Sequence, residues 1–145
     1  MKLDAIFELW EADSKIDRTE LGEESLKIAQ LHHKYFKIFS NERLTLKKLT
    51  FDYKRLKLQK YEFYTMGPTE ESQSLGWELP AQGKILRADA MQYVDSDKDI
   101  VDISLKIGLQ EEKLELLESI IKGLNSRGFN IKTALDYLKF TSGVN

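Results

Sequence analysis

The sequence predicts an all-α fold, a small helical domain that covers residues 1–145. Apolar side chains recur in several segments at the three- and four-residue spacing of a helix face. No segment shows the strict alternation of apolar and polar residues that is typical of a half-buried strand. Both prolines, Pro68 and Pro80, fall in one region. We therefore expect five or six helices and one long irregular loop.

The first two helices are predicted by apolar stripes and by a capping signal. One stripe of a short helix is formed by Leu3, Ile6, Phe7 and Trp10. Residues 13–15 favour a break, and Asp17 followed by Glu20 resembles a capping box. The second helix is expected from about residue 18 to residue 39, and the polar pair at 40–41 offers a stop and a new cap. Its buried side would consist of Leu21, Ile28, Leu31, Tyr35 and Ile38.

The third helix, expected from about residue 42 to residue 64, has two apolar faces. At about 100° per residue, one face holds Leu46, Leu49, Tyr53, Leu56 and Phe63. The nearly opposite face holds Leu44, Phe51 and Leu58, which are spaced by seven. A helix with two apolar faces needs two neighbours, and a small monomer rarely supplies both. The pattern therefore suggests self-assembly into a bundle or a ring.

A change in composition separates this helix from the C-terminal ones. Residues 67–83 hold both prolines, three glycines and small polar residues, which predicts a surface loop anchored by Trp77. Regular structure should resume by residue 85, and Asp97 is a plausible cap for a long helix that ends near residue 125. Arg127 and Gly128 predict a stop. A last helix, about 130–141, has the stripe Ile131, Ala134, Leu135 and Leu138.

The residue types argue against an enzyme, a metal site or a cofactor. The chain has no cysteine, and its two histidines, His32 and His33, diverge by about 100° on a helix and cannot chelate one metal together. The acidic run 95–99 lacks the glycine and the closing glutamate of a calcium loop. We find no phosphate loop and no nucleophile beside a base. The opening residues do not predict a signal peptide, and no apolar run approaches the ~20 residues of a membrane span.

Residues 43–60 concentrate positive charge in an otherwise acidic chain. The segment holds seven basic and one acidic side chain, a net charge of +6, whereas the whole chain has a net charge of −2. Cations interleaved with aromatic rings suit a single-stranded nucleic acid, because phosphates need cations and unstacked bases need flat faces. Lys60 also falls within the larger apolar stripe. The candidate DNA-contacting residues are Lys47, Lys48, Lys54, Arg55, Lys57, Lys60, Tyr61 and Tyr64.

The same segment allows a second interpretation. A run of charge is often a solvated helix face that pairs with acidic helices nearby. The chain would then be a helical oligomeric scaffold that binds only protein partners, with its basic helix receiving an acidic segment of a partner. The residues alone leave this choice open.

Several short motifs, in order along the chain, carry a family resemblance. They are Met1-Lys2-Leu3-Asp4, Ile16-Asp17 with Thr19 and Leu21, Asp97-Lys98-Asp99, Ser104-Leu105, and Ser126-Arg127-Gly128-Phe129 followed by Ile131-Lys132. In order and spacing they resemble the UvsY family, the recombination mediators of T-even-type bacteriophages. The likeness extends over nearly the whole chain, and residues 67–83 are the poorest match.

The resemblance implies a non-enzymatic protein in the cytoplasm of the bacterial host. Members of the family bind single-stranded DNA, form rings, and help the phage recombinase replace the phage single-strand-binding protein. Assembly through the C-terminal helix would use Ile131, Leu135, Leu138 and Phe140, although periodicity alone favours a place for them in the core of the monomer.

The family's DNA-contacting motif maps onto residues 57–61. Lys60 matches its second basic position, whereas Leu58 occupies the first. The resemblance therefore implies a contact from Lys60, with the missing charge supplied by Lys57, or by Lys54 and Arg55 one turn earlier.

Overall fold

The computed structural model describes residues 1–143, which form five helices and no strand. The all-α class predicted from the apolar spacing is thereby confirmed. Two helices are unusually long, with 46 and 45 residues. The bounds are α1 Leu3–Asp13, α2 Leu21–Met66, α3 Glu70–Ser74, α4 Arg87–Ser96 and α5 Lys98–Ser142.

The predicted stop at residues 40–41 is wrong, because α2 continues through it. Helix formation here is supported from outside the helix: Gln110 donates from Nε2 to the Glu42 carbonyl oxygen at 2.7 Å and to its carboxylate at 2.6 Å. Glu42 is buried. A serine and an asparagine interrupt a helix only weakly when their neighbours are held in this way. The predicted second and third helices are thus one element.

The beginning of α2 also differs from the prediction. The Asp17 side chain accepts hydrogen bonds from the backbone N–H of Thr19 at 2.9 Å and from its hydroxyl at 2.6 Å. These bonds form a local turn in place of the expected capping box, and α2 begins only at Leu21.

The predicted stop at Arg127 and Gly128 is wrong as well, and no separate helix begins near residue 130. Both residues lie inside α5, and Gly128 is not among the glycines with positive φ. Arg127 is buried and donates to the backbone oxygens of Asp13 at 3.3 Å and Ser14 at 2.6 Å. Its guanidinium thus satisfies carbonyl groups at the C-terminus of α1, which a helix leaves without an internal partner.

Residues 67–83 are not irregular throughout, because they include α3. Thr69 and Ser72 form a reciprocal capping box at its start. Gly67, Gly76 and Gly83 adopt positive φ, where an L side chain would be strained. Trp77 packs edge-on against Phe63 with ring centroids 5.6 Å apart, so it anchors the segment as predicted.

The chain divides into two compact units. The first combines residues 1–44 with residues 109–143, and its core is Ile6, Tyr35, Leu117, Ile120 and Leu124. The second contains residues 45–108, and its core is Phe63, Tyr64, Ile85, Ala90, Val94 and Ile100. In neither unit is a described helix long and apolar enough to cross a membrane.

Candidate nucleic-acid interface

Residues 45–60 of the basic segment lie in the second unit, on the part of α2 that follows residue 44. Their side chains divide into an outward and an inward group. Lys60 follows Phe51 by nine residues, which places the two about 180° apart on the helix. The structure agrees, because Phe51 is 66% exposed and Lys60 is 3% exposed.

We call the outward cations the basic stripe, defined as Lys47, Lys48, Lys54 and Arg55. All four are exposed. Within the part of the chain that the structure describes, no ion pair joins any of them to an acid. The stripe extends over about 12 Å of helix, at 1.5 Å per residue. Four uncompensated cations so close together create a positive surface that attracts an extended polyanion.

Lys60 belongs to the inward group. Its Nζ lies 3.2 Å from Asp97 Oδ2 and 2.8 Å from Asp99 Oδ2. It also lies 3.8 Å from the centre of the Trp77 ring, within cation–π distance. With two carboxylates and an aromatic face around it, this ammonium is already fully coordinated. The geometry gives Lys60 an internal structural contact and leaves it no free face for a phosphate.

Asp97 connects the Lys60 ammonium to the start of α5. Its Oδ1 accepts from the Asp99 backbone N–H at 2.9 Å, which confirms the predicted cap, and its Oδ2 accepts from the Tyr64 hydroxyl at 2.7 Å. Burial by itself raises the pKa of this carboxyl, but hydrogen bonds from Tyr64 and Lys60 outweigh burial and hold the pKa below its ordinary value. The pKa of the Tyr64 hydroxyl is raised by burial and by Asp97.

The aromatic residues predicted to contact bases also face inward. Tyr64 is buried in the hydrophobic core of the second unit, and Tyr61 is partly buried against that core. Lys57 is intermediate: its Nζ lies 3.9 Å from Asp95 and 5.6 Å from the Tyr53 ring centre. Only the stripe cations among the predicted DNA contacts are therefore fully presented to solvent.

Phe51 is not among the predicted DNA contacts, although the sequence contains a signal for it. The residue stands between stripe cations at positions i−4, i−3, i+3 and i+4, so it lies at their centre on the helix surface. Its seven-residue spacing from Leu44 and Leu58 predicts a place on a second apolar face instead. In the structure all three are exposed, at 62% for Leu44, 66% for Phe51 and 59% for Leu58.

The residues predicted to mediate assembly differ in their exposure to solvent. Ile131 is buried within its own chain, at 3% exposure. Leu135, Leu138 and Phe140 are exposed, and they lie near the end of α5. These three are the members of the set that remain available to a second subunit.

The described residues offer no group of three or more histidine, aspartate or glutamate side chains that could hold a metal ion. Buried polar side-chain atoms within residues 1–143 all have hydrogen-bond partners. The buried Lys60 ammonium thus has its partners, Asp97 and Asp99, within the same chain.

Comparison with known proteins identifies a family for nearly the whole chain. Residues 9–144 match the family model described as "Recombination, repair and ssDNA binding protein UvsY". No curated protein matches the sequence.

Solved structures with the same fold include crystal structures of the bacteriophage T4 recombination mediator protein UvsY. One superposes with a TM-score of 0.80 at 21% identity and covers 98% of both chains. Another gives 0.79 at 20% identity, covering 97% of this chain and 99% of that one. A third gives 0.81 at 19% identity, covering 94% and 98%. At these identities the likeness establishes the shared fold.

Removing the charge of Asp97 tests the structural role of the cluster formed by Lys60, Asp97 and Asp99. Asp97→Asn keeps a capping side chain but leaves Lys60 buried with one carboxylate, so we expect it to lower the free energy of unfolding by about 3 kcal/mol near neutral pH. Asp95→Asn, which affects an exposed pair, should cost less than about 1 kcal/mol. Urea denaturation followed by circular dichroism measures both.

The loss should also depend on pH. Because the pKa of Asp97 is lowered in the folded state, its contribution is present above the ordinary carboxyl pKa of about 3.9 and disappears as pH falls through the lower folded value. The difference between the wild-type chain and Asp97→Asn should therefore shrink in acid. Equal costs for the two variants would contradict the assigned role of the cluster.

Proposed function

The chain belongs to the UvsY family, and from that premise we propose that it binds single-stranded DNA through the basic stripe and acts as a phage recombination mediator. Family membership supports the general activity. The choice of surface is supported by the exposure of Lys47, Lys48, Lys54 and Arg55.

The observation that carries the proposal is that no stripe cation forms an ion pair within residues 1–143. Residues 43–60 have a net charge of +6, so the rest of the chain sums to −8. Carboxylates are abundant, yet none of them pairs with a stripe cation among the described residues. Lys60, in contrast, is paired twice. Cations left uncompensated in an acidic protein are available to release counterions from a bound nucleic acid, which is the main source of such affinity.

The proposed mechanism is one of binding and display. Several subunits present their stripes together, and the bound strand follows this repeated positive surface. A strand held in this way is a poorer substrate for the phage single-strand-binding protein and a better one for nucleation of the phage recombinase. The mediator itself contributes no catalytic step and needs no cofactor in this scheme, which operates in the cytoplasm of the bacterial host.

Assembly into a ring-like homo-oligomer is part of the proposal. Leu135 and Leu138 support it, because they lie three residues apart on one face near the end of α5 and are exposed, as is typical of a surface that another subunit covers. Phe140 is also exposed, on a different side of the same helix end. The proposed surface leaves out Ile131, because its side chain is buried within its own chain. Repetition of weak stripe contacts would raise the apparent affinity for a long strand.

Neutralising stripe cations tests the DNA-binding surface. The double variant Lys47→Gln, Lys54→Gln should reduce the slope of log K against log salt by about 1.4, because each single-strand phosphate that is no longer neutralised lowers the slope by about 0.7. The control variant Lys106→Gln, Lys122→Gln removes two exposed lysines of a different helix, α5, and should leave the slope unchanged. Fluorescence anisotropy of labelled oligo(dT) at several salt concentrations provides the measurement.

An unchanged slope in the stripe variant would contradict the proposal. If that variant instead loses capture of an acidic protein segment while its DNA affinity survives, the protein-binding scaffold is the correct interpretation.

Assembly is tested by making exposed apolar side chains near the end of α5 polar. Leu138→Ser, Phe140→Ser should reduce the mass measured by light scattering to that of a smaller species, and it should weaken binding of long strands by about 100-fold or more because avidity is reduced. Leu26→Ser changes an exposed leucine of α2 and should alter neither quantity. A wild-type chain that is monomeric at micromolar concentration would contradict this part of the proposal.

A further inference from the structure

Phe51 is the one aromatic ring that the basic segment presents to solvent. Of the aromatic residues of α2 between 45 and 66, all in the described part of the chain, the others are at least partly buried. We propose that Phe51 stacks on an unpaired base and thereby makes the stripe prefer a single strand over a duplex. This inference rests on the proposed function and adds a specificity-determining residue to it.

The position of the ring among the cations supports a combined contact. Residues three and four apart on a helix have Cβ atoms about 5–6 Å apart, so each stripe cation is a direct neighbour of Phe51. Lys54 Nζ lies 5.6 Å from the centre of the ring. A base that lies on Phe51 would therefore have its own phosphate and those of adjacent nucleotides within reach of Lys47, Lys54 or Arg55.

The charges around Phe51 also favour a nucleic acid over a protein occupant. A second copy of this helix face would set four cations against four cations, which is unfavourable. An apolar partner would desolvate ammonium and guanidinium groups without supplying counter-charges. A single strand supplies both missing components, because its phosphates neutralise the cations and its base covers the ring.

Selectivity for a single strand follows from the accessibility of the base. In a duplex the flat face of each base is already covered by its neighbours, so the ring could engage one only after unstacking, which has an energetic cost. The stripe cations would attract either form of DNA through its phosphates. Phe51 is thus expected to affect the discrimination between the two forms, and the stripe the affinity for both.

The test compares Phe51→Ala on three probes: oligo(dT), an abasic oligomer of the same length, and a duplex of that length. We expect about a tenfold loss of affinity for oligo(dT), as for the loss of one stacked base. Affinity for the abasic oligomer and for the duplex should change less than about twofold, because neither offers a base to stack. The salt slope on oligo(dT) should stay at the wild-type value. Phe7→Ala, which removes another exposed ring, is the matched control.

The outcomes separate the inference from the proposed function. If the wild-type chain binds oligo(dT) with a salt dependence that requires the stripe, while Phe51→Ala binds as tightly, the stacking role is overturned and the DNA-binding surface stands. An equal loss on the abasic oligomer also overturns it, because the ring would then act without a base. If the wild-type chain fails to bind oligo(dT) at low salt, both proposals fail. A Phe51→Trp variant that keeps the affinity and changes fluorescence when oligo(dT) is added would support the stacking contact.

Discussion

The buried ammonium of Lys60 is the constraint on which the second unit depends. Taking a cation out of water has a cost of several kcal/mol unless it is closely paired, and here Asp97, Asp99 and the Trp77 ring surround it. Because the paired position is fixed on α2, the rotation of this helix about its own axis is fixed too. The opposite side, about 180° away, is then the side that carries Phe51 and the stripe. An internal ion pair thus determines which surface is offered outward.

The same residue type therefore has two roles on one helix, and the surroundings decide between them. A lysine among carboxylates contributes to the fold and is unavailable to a ligand. A lysine whose neighbours are other cations and an exposed ring contributes little to stability and remains available. This division also explains how an acidic chain can have a positive surface: the acids at 97 and 99 pair with Lys60, while no stripe cation forms an ion pair within residues 1–143.

Much of the fold could be predicted from local patterns, since apolar spacing identifies helices and Asp97 caps α5 as expected. The two predicted helix stops are wrong because local signals cannot reveal distant partners. Gln110 supports α2 at Glu42 from 68 positions away, and Arg127 closes the end of α1 from 113 and 114 positions away. The inward position of Lys60 had a local signal, since the residue lies on the larger apolar stripe. Its acidic partners follow it by about 37 residues, and helical periodicity does not identify partners so far along the chain. The exposure of Phe51 likewise depends on what packs against α2, which a helical wheel does not specify.

The most direct test is to find which residues a bound single strand of DNA contacts. An oligomer of halogenated deoxyuridine, crosslinked by ultraviolet light and mapped by mass spectrometry, reports which residues contact bases. We expect adducts within residues 47–58, centred on Phe51 and absent from Tyr61 and Tyr64, whose rings pack inward. Adducts confined to α1 or to the end of α5, with none between 47 and 58, would contradict the account.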